Sequence, residues 1–95
     1  MYLSVYRFEG DTAVLAAAYG RLLASMPTDK FDFHACIERP GGIEIYDACP
    51  TREVHEAFVA SPEFRGALAQ AGLPSPEIVP LGETRAAFAQ GRRLA

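Results

Sequence analysis

Several things that would place this chain in a familiar class are scarce or missing. No apolar run approaches the ~20 residues that a membrane span needs. The opening MYLSVYRFEG has neither a basic start nor a long apolar centre, so it does not read as a secretory signal. Together these point to a cytoplasmic protein without a membrane partner. Positive charge is thin: nine Lys and Arg stand against twelve Asp and Glu, for a net charge of −3 and a pI near 5.3. Phosphate backbones are held by concentrated basic faces, and the only basic cluster is Arg92-Arg93, so no nucleic-acid partner is expected. Lys30 is the lone lysine and alanine is abundant, a balance that reads as GC-rich coding and a bacterial source. Two cysteines in a reducing compartment are expected to be free thiols. They share no zinc-ligand spacing with His34 and His55, and no glycine-rich loop leads from a strand into a helix. No metal and no bound cofactor are therefore expected.

What is present is an ordinary globular composition, 49% hydrophobic and 22% charged over 95 residues, which suits one domain. We read residues 1–95 as a single ferredoxin-like domain with a core at about 2–82 and a C-terminal extension over 83–95. A chain this short buries only about 60% of its unfolded surface and gains from a partner subunit.

Leu3 to Phe8 alternates as a strand. Asp11-Thr12 offers a cap, and Leu15, Ala18, Leu22 and Met26 recur at helical spacing until Pro27 stops the helix. Phe31 to Glu38 and Ile43 to Cys49 alternate as two strands around the turn RPGG. A two-residue Pro40-Gly41 loop would set Ile37 against Glu44, apolar phase against polar. Side-chain parity therefore favours a three-residue loop, Arg39-Pro40-Gly41 or Pro40-Gly41-Gly42. Thr51 caps a helix whose apolar stripe is Val54, Ala57 and Phe58. Ser61-Pro62 restarts it, and Gly72-Leu73-Pro74 ends it in a Schellman-like stop. Glu77 to Leu81 is a fourth strand, with Pro80 marking an edge or a bulge. Residues 84–95 fit either a strand or a short helix.

The order β-α-β-β-α-β predicts a ferredoxin-like α+β fold: a four-stranded antiparallel sheet with both helices on one face. The alternation assigns Leu3, Val5, Phe33, Ala35, Ile37, Ile43 and Ile45 to the helix-facing side. Tyr2, Ser4, Tyr6, Phe8, His34, Cys36, Glu44, Tyr46 and Ala48 fall on the other, a mixed aromatic surface that suits a subunit interface.

The stretch IYDACPTREVHEAFVASPEFRGAL resembles the third strand and second helix of the dimeric α/β-barrel superfamily, the antibiotic-biosynthesis-monooxygenase-like proteins. The shared layout is a strand end at Cys49, a cap at Thr51, the acidic Glu53, the stripe Glu56-Ala57-Phe58 and the break at Ser61-Pro62. The resemblance covers roughly residues 2–82. It implies a homodimer whose two sheets face each other as a barrel, with a small-molecule pocket between sheet and helices or at the barrel mouth. Members include cofactor-free oxygenases, haem-degrading enzymes and polyketide cyclases. The haem-degrading pattern is missing: Ser4 and Tyr6 stand on the first strand, Phe58 replaces its tryptophan, and no histidine follows His55.

Among individual residues, His34 is a candidate general base. On the expected register Tyr46 lies opposite it or one pair away, so a His34–Tyr46 couple could take a proton from an acidic phenol or enol. Alternatively, His34 is an interface histidine. Tyr6, His34, Tyr46 and Phe58 are the candidate ligand-binding residues, though for Tyr6 barrel filling is the favoured reading. Asp47 shares the phase of Ile45 and suits an arginine, a helix end or a catalytic role. Cys49 reads as a small filler at the strand–helix junction, Cys36 as pointing to the opposite face from it, and His55 as a solvent-edge residue. These features support a homodimer that binds a small apolar or aromatic molecule without a cofactor. A cofactor-independent monooxygenase or cyclase-like enzyme and a non-catalytic structural dimer are the alternatives.

Overall fold

The computed structural model describes residues 1–95. Strand β1 (Tyr2–Glu9) leads to helix α1 (Thr12–Ala24), whose first turn is capped by the Asp11 carboxylate accepting from the Val14 N–H. Leu15, Ala18 and Leu22 are its buried stripe. Pro27 cannot continue the helix, and a single 3-10 turn (Thr28–Lys30) follows. Strands β2 (His34–Arg39) and β3 (Gly42–Cys49) form a hairpin. Thr51 caps α2 (Arg52–Ala60). Ser61 then serves two helices at once: its hydroxyl donates to the Phe58 carbonyl and accepts from the Phe64 N–H at the start of α3 (Pro62–Ala71). Gly72, left-handed at φ 87°, closes α3 with the Leu73 N–H bonded to the Leu68 carbonyl, the Schellman stop expected.

Strand β4 (Glu77–Glu83) completes a four-stranded antiparallel sheet in the order β2-β3-β1-β4. This is the ferredoxin-like α+β arrangement. Pro80 sits on the edge strand, where its missing N–H leaves no gap in a central ladder. The register slips beside it, with Ser4 opposite Pro80 and Leu3 opposite Gly82, so Leu81 is an extra residue in a bulge. The extension beyond β4 resolves as strand: β5 (Phe88–Ala89) pairs with β6 (Arg92–Arg93). Gln90 and Gly91 between them both have positive φ, as a type I′ turn requires. No helix is long and apolar enough to cross a membrane.

The hairpin register differs from the parity expectation. Ile37 does pair with Glu44, and Arg39 with Gly42, across a two-residue Pro40-Gly41 loop. Backbone requirements override the side-chain pattern here. Pro40 followed by Gly41 at φ 82° is the residue pair of a type II turn. Gly42 lies so close to the Phe8 carbonyl that a Cβ there would overlap it, which holds this glycine opposite β1. β2 is an edge strand, so the mismatch only leaves Ile37 about half exposed, at 49%.

With that register the faces of β1 and β2 exchange. Residues directly opposite in an antiparallel pair share a face. The rows Cys36–Ile45–Tyr6–Ile78 and His34–Asp47–Ser4–Pro80 therefore run across the helix-facing side. Leu3, Val5, Ala35, Ile37, Glu44 and Tyr46 lie on the other side. Tyr6, Phe8, Ile43 and Ile45 form the core with Leu15, Leu22 and Leu68 from the helices. Cys36 and Cys49 share the helix-facing side, not opposite ones, and both are free thiols.

Candidate functional site

The helices do not fill the space above the sheet. A cavity of about 580 Å³ opens between β1–β3, the Met26–Asp32 segment and the α2–α3 pair. Its walls are largely apolar, with Phe8, Ile45, Phe31, Phe58, Phe64 and Leu68 prominent. Phe58 and Phe64 lean together at 4.7 Å between ring centroids. The Ser61-Pro62 break lets α2 and α3 each present one of these rings. Of the α2 stripe read from sequence, Val54 and Phe58 border this space, Phe58 also packs against the core, and Ala57 is exposed.

One polar group interrupts the apolar floor. The His34 Nδ1–H lies 3.1 Å from Asp47 Oδ1, and His34 Nε2 lies 2.7 Å from the Tyr19 hydroxyl. A carboxylate only accepts, so Nδ1 carries the proton of the neutral ring and Nε2 accepts from Tyr19. Phe31 stacks on the imidazole at 4.4 Å, with planes 11° apart. The ring is thus held at both nitrogens and on one face, and His34 and Asp47 both line the cavity. Burial raises the Tyr19 phenol above its usual pKa, which keeps it a neutral hydrogen-bond donor. Asp47 Oδ2 makes no hydrogen bond and can accept one from a bound molecule, whereas His34 can take a proton only at Nε2, once the Tyr19 hydroxyl gives up that contact, with Asp47 then stabilising the imidazolium.

A second polar cluster is buried beside the first. His55 is only 2% exposed, so it is a core residue and not the solvent-edge histidine that its helix spacing suggested. Its Nδ1 shares a 3.3 Å hydrogen bond with the Ser4 hydroxyl, and its ring packs 5.5 Å from that of Tyr2. Its Nε2 and the Tyr6 hydroxyl are buried with no hydrogen-bond partner. Burial lowers the His55 pKa and raises that of Tyr6. Both side chains are therefore uncharged.

Of the residues expected at a site, Tyr6, His34 and Phe58 line one cavity. Tyr46 does not join them. It pairs with Ala35 and bonds Glu44 on the opposite face of the sheet, so the His34–Tyr46 couple does not form. The two-residue hairpin loop is the reason, since it places Asp47 opposite His34 instead. Asp47 takes neither an arginine nor a helix end; its hydrogen-bond partner is His34. Cys49 is a buried residue of the cavity wall, and burial raises its thiol pKa, as suits a filler. Tyr19 was missed, although it stands four residues after Leu15 and three before Leu22, on the buried stripe of its own helix. Phe31 was read as the start of the second strand, but β2 begins only at His34; the residues before it leave the sheet, and the Phe31 ring stacks on His34 instead of following the strand alternation. No group of three or more His, Cys, Asp or Glu side chains is placed to hold a metal ion.

A solved structure from Chloroflexus aurantiacus J-10-fl, described provisionally as an antibiotic biosynthesis monooxygenase, superposes on this fold with a TM-score of 0.52. The match covers 87% of this chain and 95% of that one at 20% sequence identity. No family model matches the chain, and no curated protein does. The likeness is one of architecture: this chain and that structure share the ferredoxin-like α+β fold.

Proposed function

We propose that this protein binds a small aromatic molecule in the cavity between sheet and helices, with the His34–Asp47 pair receiving the ligand's hydroxyl. The observation that carries this reading is a largely apolar space of about 580 Å³ with one oriented imidazole–carboxylate pair in its wall. Such a combination is typical of small-molecule sites, where apolar walls supply affinity and a few polar groups fix orientation. The description of the Chloroflexus structure as a monooxygenase supports a second, catalytic reading: the Tyr19 hydroxyl is displaced from Nε2 and His34 takes the proton of a bound phenol or enol there, the opening step of a monooxygenase or cyclase that works without a cofactor. Association with a second copy through the outer sheet face fits the apolar residues there, Leu3, Ala35, Ile37 and Val79.

Titration with 2-naphthol tests the reading. Saturable binding is expected, weakened about tenfold in a His34→Ala protein, the equivalent of about 1.4 kcal/mol. Unchanged affinity in that variant would remove His34 from the site, and no saturable binding would overturn the proposal. Native mass spectrometry of freshly purified protein reports any retained ligand and the dimer mass together.

A further inference from the structure

The charges around the cavity constrain its ligand further, an inference that rests on the reading above. Three carboxylates line the space: Asp47, and the solvent-exposed Asp32 and Glu63. Lys30 is the one cation among the lining residues, and no arginine is present. Neither Lys30, Asp32 nor Glu63 takes part in an ion pair, and Asp47 pairs only with His34. The Asp47 side chain is 17% exposed, so it can reach a molecule that enters. The aromatic rings of Tyr6, Phe31, Phe58 and Phe64 line the same space.

These groups act in one direction. An anionic ligand would lose its hydration beside Asp47 and pass two further like charges on entry, which is costly in a partly dehydrated site. A cationic ligand gains a carboxylate partner for its charge, and ring faces that attract cations. We infer that the cavity selects a cationic aromatic amine, its ammonium held by Asp47 and its ring packed against the Phe58–Phe64 pair, over the neutral and anionic counterparts.

A matched series tests this. Indole, tryptamine and indole-3-acetate share one ring and differ in charge. The protein contains no tryptophan, so indole emission excited beyond the tyrosine band reports binding without background. Tryptamine is expected to bind about tenfold more tightly than indole, with indole-3-acetate the weakest, and the spread should narrow as salt screens the field. Asp47→Asn should remove most of the tryptamine preference. Glu63→Gln, an exposed change that spares the fold, should reduce it by a smaller factor. Equal affinities for all three, or tightest binding of indole-3-acetate, would overturn the charge selection while leaving aromatic binding intact. No binding of any of the three, together with none of 2-naphthol, would overturn both readings.

Discussion

The chain has two histidines, and they stand on either side of one polar row. His34 and Ser4 both lie opposite Asp47 on neighbouring strands, and Ser4 bonds His55 from above. The two rings nevertheless have different fates. His34 borders the cavity, with both nitrogens engaged by groups that can trade partners. His55 is sealed among Tyr2, Tyr6 and Ser4 with one nitrogen unpaired. The same side chain serves as an exchangeable contact in one place and as packing in the other. The deciding factor is what covers it: open cavity over His34, helix α2 itself over His55.

The largest effect that separates the two is expected from His55→Ala. It empties a packed site and leaves the Ser4 hydroxyl without its partner, costing about 2–3 kcal/mol of stability in urea unfolding. The outcome that would erase the contrast is a loss no greater than that of His34→Ala. Tyr19→Phe comes next, at about 1 kcal/mol. It frees His34 Nε2, so 2-naphthol affinity should also change, whereas His55 variants should alter binding only where they unfold the protein.

Acid should expose the same asymmetry. Burial depresses the His55 pKa below its ordinary 6.5. The folded state therefore binds its proton less readily than the unfolded state. The associated stability is complete above pH 6.5 and is lost as pH falls through the lowered folded value. Urea midpoints measured across that range should fall on acidification, and a His55→Leu protein should lack this component. Tyr46→Phe is expected to do least, below about 0.5 kcal/mol, with ligand affinity unchanged, because it removes only a hydrogen bond to Glu44 on the far face of the sheet.

The helix boundaries were legible because single residues carry them. Asp11, Thr51 and Ser61 each accept the amide bond that a cap must accept, and Gly72 takes the left-handed turn. The sheet edge was legible from Pro80. The sheet faces were not, since β1 is apolar in both phases: Leu3 and Val5 in one, Tyr6 and Phe8 in the other. Period-2 alternation cannot choose between them, and the deciding facts are backbone ones, the Pro40-Gly41 turn and the approach of Gly42 to Phe8. That choice moved Tyr46 out of the site and brought Asp47 into it. His34, Tyr6 and Phe58 reached the cavity, although the sequence reading had set His34 and Tyr6 on the face opposite the helices.

The order of the strands has a consequence for how the chain comes together. The strand made first, β1, ends up in the middle of the sheet, between β3 and β4. Tyr2 thus meets Cys49 on one side and Glu83 on the other. On a ribosome β1 would wait for β4 to emerge before its second edge is covered, and the loop that must then close contains both other strands of the sheet and all the helices. Such distant pairings slow folding. The floor of the cavity is laid early in synthesis, but the sheet around it is finished only when the last long strand arrives.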